Sequence, residues 1–150
     1  MPDVDLTFDY DLPLKTVYDW WTDLSGVGYV GKSLKSIRQI GKNEKGEILV
    51  ETKWRVMGMN MKMIEQLTLD STNHWVWKPH MIGIYVTDNF RLGENGSGSR
   101  LHITSEFHPR GMMGKVANSM FGGYLRRLMT DEWLSADRAF RKEVGSKEQR

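Results

Sequence analysis

The feature that most constrains this chain is a change of hydrophobic period along its length. Through most of the first 110 residues apolar side chains recur at every second position, whereas from about Met113 to Val144 they recur at three and four. A period of two belongs to strands with one buried face, and a period of 3.6 to a helix with one buried stripe. Val4 to Asp11 sets Val4, Leu6, Phe8 and Tyr10 on one face, against mostly acidic or hydroxyl residues. Glu47 to Met57 sets Ile48, Val50, Thr52, Trp54 and Val56 against Glu51, Lys53 and Arg55. Leu34 to Gly41, Met61 to Leu69, Asn73 to Pro79, Ile82 to Leu92 and Arg100 to His108 are further strand-like runs. Between them stand turn signals: Asn43-Glu44-Lys45-Gly46, then Gly58 and Asn60 as donors of positive φ, then Glu94 to Gly98 as a hairpin.

Two helices interrupt or end this pattern. After Pro13, a residue tolerated in a first helical turn, Leu14, Val17, Tyr18 and Trp21 fall at helical spacing, so a short amphipathic helix runs to about Leu24. A glycine-rich loop, Ser25 to Ser33, separates it from the next strand. In the final helix Ala117, Met120, Phe121, Tyr124, Leu125 and Leu128 form one stripe, while Lys115, Ser119, Arg126, Asp137 and Arg141 face away and a polar tail frays from Gly145. The order predicts an α+β fold: a curved antiparallel sheet of about six to seven strands, its one greasy face covered by the only element long enough to do so.

Composition narrows the function classes. At 150 residues the chain, read as one domain over 1–150, can bury a core without staples, and its lack of cysteine removes disulfides, thiolate zinc sites and cysteine nucleophiles. A reducing, cytoplasmic setting is expected on the same ground. The start MPDVDLTFDYDL has neither a basic nor an apolar signal region, and no run of about eighteen apolar residues occurs, so neither export nor stable membrane insertion is expected. With 21 basic and 19 acidic residues dispersed along the chain, the net charge of +2 argues against nucleic acid as a partner. Ten methionines and six tryptophans point to a wide, soft apolar interior.

Several motifs compete for a role. Gly26 to Ser33 spells G-x-x-x-x-G-K-S, with Lys32 as the phosphate-binding lysine, but a P-loop needs a buried parallel strand before it and a helix after it. Here an amphipathic helix precedes, a strand follows, and Leu67 to Asp70 makes a feeble partner for a second nucleotide motif. Met57, Met59, Met61 and Met63 offer thioethers suited to Cu(I), yet no histidine or cysteine adjoins them, and adaptable lining of an apolar gap explains them more simply. His102, Glu106 and His108 share a strand face opposite Leu101, Ile103 and Phe107, so they are expected in solvent rather than on a metal. No serine-nucleophile motif occurs, and no metal or other cofactor is expected.

Polar residues on apolar faces are the better candidates for a site. Glu65 stands among Met61, Met63, Leu67 and Leu69, and Asp88 alternates with Val86 and Phe90, so burial would raise either acid's pKa and make a proton donor, a base or an anchor. Pairing with an arginine, or a wet position at a sheet end, is the plainer account of each. Trp54, Trp75, Trp77, Phe107, Met120 and Tyr124 complete the candidate pocket lining together with Met61 and Met63, with core packing as the competing role. Gly122 and Gly123 sit where a helix disfavours glycine, which suggests a bend, a ligand approach or tight packing.

In order and local pattern nearly the whole chain resembles the START-like superfamily, also called SRPBCC, whose members are often labelled polyketide cyclase/dehydrase-like. The resemblance lies in the strand leading to Pro13 and VYDWWTDL, in GEILVETKW, in GENGSGSRLHITSEFHP and in YLRRLMTDEWLSADRAF. It implies a helix-grip fold with an internal cavity, and it implies no particular reaction, since no family catalytic motif maps onto these residues. The expected function is binding or carriage of a small hydrophobic molecule such as a lipid, isoprenoid or aromatic polyketide. The alternatives are a cyclase/dehydrase-like enzyme using Glu65 or Asp88 as acid/base, and an interaction module docking through Trp20 or Trp133, with a homodimer among the expected partners.

Overall fold

The computed structural model describes residues 2–24, 33–81 and 83–148. Strand β1 (Val4–Tyr10) leads into helix α1 (Leu14–Trp21) and then to β2 (Leu34–Lys42), β3 (Ile48–Val56), β4 (Met59–Ser71) and β5 (His74–Lys78). A two-residue β6 (His80–Met81), β7 (Ile84–Asn95), β8 (Gly98–Pro109) and the long helix α2 (Gly111–Glu148) complete the order. The strands form one sheet in the order β1-β8-β7-β5-β4-β3-β2, with β6 beside β7, and all its pairings are antiparallel. Strand-like runs and both helices therefore stand where the periodicity puts them. The glycine-rich string from Gly26 to Lys32 lies outside the described residues. Its surroundings still bear on the P-loop spelling, because the element before it is α1 and the strand after it, β2, is an antiparallel edge strand.

Register follows from which side chains must be buried. Thr52, Trp54 and Val56 face inward and pair with Met63, Met61 and Met59, which leaves only Met57 and Gly58 for the reversal. A two-residue type I′ turn, whose twist matches that of the strands, has positive φ at both positions, and Met57 has φ 53° and Gly58 φ 77°. Asn60, expected to share that duty, instead pairs with Arg55 inside β4. Irregular pairing at Leu34/Ser36 and Gln39/Gly41 bends β2, as an extra residue in one strand does.

Helix α2 crosses the concave face and buries Leu125, Leu128, Met129, Trp133, Ala136 and Phe140. It is fastened to both edges of the sheet. Toward β1, Arg126 pairs with Asp3 at 2.8 Å, and Asp137 accepts a 2.7 Å hydrogen bond from the Tyr10 hydroxyl and a 3.0 Å bond from Arg141. Toward β2, Glu132 Oε1 accepts the Ser33 N–H at 2.7 Å and the Leu34 N–H at 3.3 Å. Asp137, expected on the outer face, is thus a buried anchor, because the Tyr10 hydroxyl needs an acceptor at that depth. Met120 departs from expectation the other way: it is 69% exposed, since it sits roughly 140° round the helix from Leu125. The helix also continues to Glu148 rather than fraying at Gly145.

At its start α2 touches backbone to backbone. A Cβ on Gly114 would collide with the Gly83 carbonyl, whereas one on Gly123, farther along the helix, would meet open space. Gly114→Ala is expected to destabilise the protein by about 1–3 kcal/mol and Gly123→Ala to stabilise it by up to about 1 kcal/mol, as measured by urea unfolding.

Candidate functional site

The curvature of the sheet leaves a gap between its concave face and the middle of α2. This narrow cleft is partly open to solvent, leaves about 30 Å³ for the centre of a water-sized sphere, and is lined by Leu34, Ile37, Thr52, Trp54, Glu65, Trp77, Asp88, Met129, Glu132 and Trp133. Its floor is a consequence of register. Leu67 opposes Trp77, Trp77 opposes Asp88, and Asp88 opposes Ser105, with Glu65 on the same face as Leu67 and two residues before it. Side chains two apart on a strand share a face, so Glu65, Trp77 and Asp88 are brought together across three strands.

Both central acids are deeply buried, Glu65 at 4% exposure and Asp88 at 1%. Among the described residues neither has the arginine partner that would make it a structural ion pair. Asp88 Oδ1 accepts a short hydrogen bond from the Ser105 hydroxyl, while Glu65 Oε2 is buried with no hydrogen-bond partner among the described residues. Burial disfavours the ionised form and pushes Glu65 up to about 7, against the opposing influence of the Thr52 hydroxyl and Trp54 indole beside it. In Asp88 burial again dominates, the Ser105 hydroxyl opposes it, the charge of Glu65 adds to it, and the result is about 8. The Trp54 indole N–H donates to Thr52 Oγ1 at 2.8 Å, but those of Trp77 and Trp133 are buried without acceptors among the described residues. No lysine, arginine or histidine among the described residues stands in the wall. Among the described residues no three His, Asp or Glu side chains converge closely enough to hold a metal ion.

Trp54, Glu65, Trp77 and Asp88 were legible as site candidates and line the cavity; the other candidates do not reach it. Met63 is buried in the core and Met61 half-buried against it, nearer the β3–β4 turn than Glu65. Trp75 is fully buried, stacked on Phe90 at 5.4 Å and edge-on to Tyr18. Phe107 is buried beside the Arg126 guanidinium. The Tyr124 hydroxyl takes the Met57 N–H at 3.3 Å, and Met120 points into solvent with Met57 and Met59. The exposed docking role suggested for Trp133 is overturned. Trp20 is half-buried and donates to Glu143 at 2.6 Å, and Trp133 is buried in the cavity wall with its ring edge-on to Phe90. His102, Glu106 and His108 are exposed as expected, and His102 bonds Asp5 at 2.6 Å.

Sequence reasoning missed Glu132, which is buried and lies on the Leu125, Leu128, Met129 and Ala136 stripe. The signal was present, because an acid on an apolar helical stripe is the same anomaly as Glu65 on an apolar strand face. Leu34, Ile37, Thr52, Met129 and Trp133 were also missed as lining residues, since only the closing of α2 over β2 distinguishes them from other core positions.

No family model and no curated protein matches this chain. Solved structures do. A protein from Thermus thermophilus superposes with a TM-score of 0.73 at 16% identity, covering 96% of this chain and 97% of its own. A START superfamily protein from Mycobacterium smegmatis gives a TM-score of 0.71 at 11% identity, covering 95% and 97%. The Zhui aromatase/cyclase from Streptomyces sp. R1128 gives 0.70 at 14% identity, covering 93% of each chain. The chain has the START-like helix-grip fold: a curved antiparallel sheet gripping a long C-terminal helix. At these identities the likeness establishes the fold alone.

The buried acids have a consequence for stability. Because their pKa values are raised on folding, the native state holds protons that the unfolded chain has released between about pH 4 and pH 8, so stability falls as pH rises through that window. Glu65 alone accounts for a loss on the order of 3 kcal/mol across it. Urea unfolding at pH 5.5 and pH 9 is expected to show lower stability at pH 9, and Glu65→Gln or Asp88→Asn to shrink the difference.

Proposed function

We propose that this protein binds a small, largely apolar molecule in the cavity between the sheet and α2 and carries or presents it without changing it chemically. The observation that carries this reading is the wall itself. It is built from apolar and aromatic side chains, yet it holds three buried polar atoms without partners among the described residues: Glu65 Oε2 and the indole N–H groups of Trp77 and Trp133. Leaving such atoms unpaired costs on the order of 1–3 kcal/mol each, which a ligand with a matching polar head would recover. Large apolar area around a few convergent polar groups is the general make-up of small-molecule sites. No metal or other cofactor enters this reading.

A second reading is favoured by one further observation. Glu65 and Asp88 hold and release protons near neutrality, where a general acid or base works best. An enzyme of the cyclase or dehydrase kind would use Asp88 as donor and Glu65 as acceptor on a carbonyl substrate folded against the tryptophans. Among the described residues no helix is long and apolar enough to cross a membrane, and a cytoplasmic setting belongs to the same proposal.

Native mass spectrometry of the purified full chain, offered isoprenoid alcohols, aromatic polyketides and fatty acids, separates the two readings. Carriage predicts saturable one-to-one uptake with the ligand recovered unchanged, and Glu65→Gln altering affinity only. Enzymatic turnover predicts a product mass that disappears in Glu65→Gln or Asp88→Asn while uptake persists. Absence of uptake for all three classes contradicts both.

A further inference from the structure

The wall of the cavity selects by charge as well as by shape. Three carboxyl groups, Glu65, Asp88 and Glu132, reach it from three different elements, and among the described residues it contains no cationic side chain. Glu132 has its acid tied to backbone amides, through the Ser33 and Leu34 N–H groups. Asp88 is engaged with Ser105. Glu65 Oε2 is buried without a partner among the described residues, the Thr52 hydroxyl and Trp54 indole stand beside its carboxyl, and the Trp77 ring lies on the next strand of the floor. A ligand carboxylate or phosphate placed there would give up its hydration with no counter-charge in the described wall, an arrangement that disfavours ionised anions strongly. A hydroxyl or a protonated amine would instead donate to Glu65. The hydroxyl would in turn accept from an orphaned indole N–H, and the ammonium would lie among tryptophan rings suited to a cation.

We infer that the ligand of this cavity is an apolar molecule whose polar head is a hydrogen-bond donor without negative charge, a hydroxyl or a protonated amine, read by Glu65, and that anionic amphiphiles are rejected. This rests on the proposed binding of a small apolar molecule in the same cavity, and it narrows that reading to a class. Fatty acids and phosphorylated isoprenoids fall outside the class; free alcohols, phenols and amines fall within it.

The test is a titration of the full chain, followed by tryptophan fluorescence and checked by calorimetry, with two matched sets: octan-1-ol, octylamine and octanoate, and their naphthylmethyl counterparts. The alcohol or the amine is expected to bind at least about tenfold tighter than the carboxylate. Glu65→Gln is expected to reduce that preference to less than about threefold, and Lys15→Ala, an exposed position on α1, to leave it unchanged. A pH series identifies the head. Glu65 is faced by Asp88 from β7 and Glu132 from α2, and by the uncharged Thr52, Trp54 and Trp77, so amine affinity rises between pH 6 and pH 8.5 as the carboxyl ionises, whereas alcohol affinity does not rise. Carboxylates binding as tightly as alcohols and amines, or an undiminished preference in Glu65→Gln, would overturn the inference while leaving cavity binding intact. Failure of every member of both sets to bind would instead remove the cavity-binding reading beneath it.

Discussion

A curved sheet with one apolar face is unstable until something covers that face, and in this protein the cover is a single helix. Helix α2 has 38 residues, about 57 Å at 1.5 Å per residue, and it reaches both edges of the sheet. Arg126, Asp137 and Arg141 hold it to β1, while Glu132 holds it to the first residues of β2. Partly exposed ion pairs contribute little each, so the energy lies in the apolar contacts of Leu125, Leu128, Met129, Trp133 and Phe140, and the polar anchors set the position. Glu132 does both things at once, since the acid that fastens the helix to β2 also forms part of the cavity wall.

That arrangement explains the electrostatics of the site. With α2 in place Glu65 and Asp88 are almost wholly buried, and no basic side chain among the described residues of the wall repays their desolvation. Buried acids without counter-charges stay protonated to higher pH, and both rise into the neutral range. Hydrophobic residues of similar size would have made a more stable core. The acids' place in the gap that the register creates around Trp77, between sheet and α2, is the ground on which a ligand role is proposed for them.

How much of this could be read from the chain differs between strands and helix. In β3, β4, β5 and β7 the two-residue alternation is regular enough to fix which face is inward, and so Trp54, Glu65, Trp77 and Asp88 were all legible as candidates. Along α2 the same reasoning was less secure: a stripe followed over only three turns put Met120 inside and Asp137 outside, whereas the buried stripe centres on Leu125, Met129, Glu132 and Ala136. Which inward residues line a gap and which fill the core depends on contacts between distant segments. Trp75 and Trp77 alternate identically, yet Trp75 is filled over by Tyr18 and Phe90 and Trp77 faces the cavity. The methionine run has the same ambiguity, being cut by a reversal at Met57 and Gly58 that puts Met63 inside and Met57 and Met59 outside.

The central claim is that Glu65 and Asp88 are buried beneath α2 as carboxyl groups whose proton affinity is set by burial. The most direct measurement is a pH titration of their side-chain carboxyl carbons by carbon-13 NMR in the intact protein, assigned with Glu65→Gln and Asp88→Asn. The account predicts midpoints near 7 for Glu65 and near 8 for Asp88. Midpoints at the ordinary values of 4.5 and 3.8 would mean that water reaches both groups, and burial of the pair beneath α2 would be contradicted.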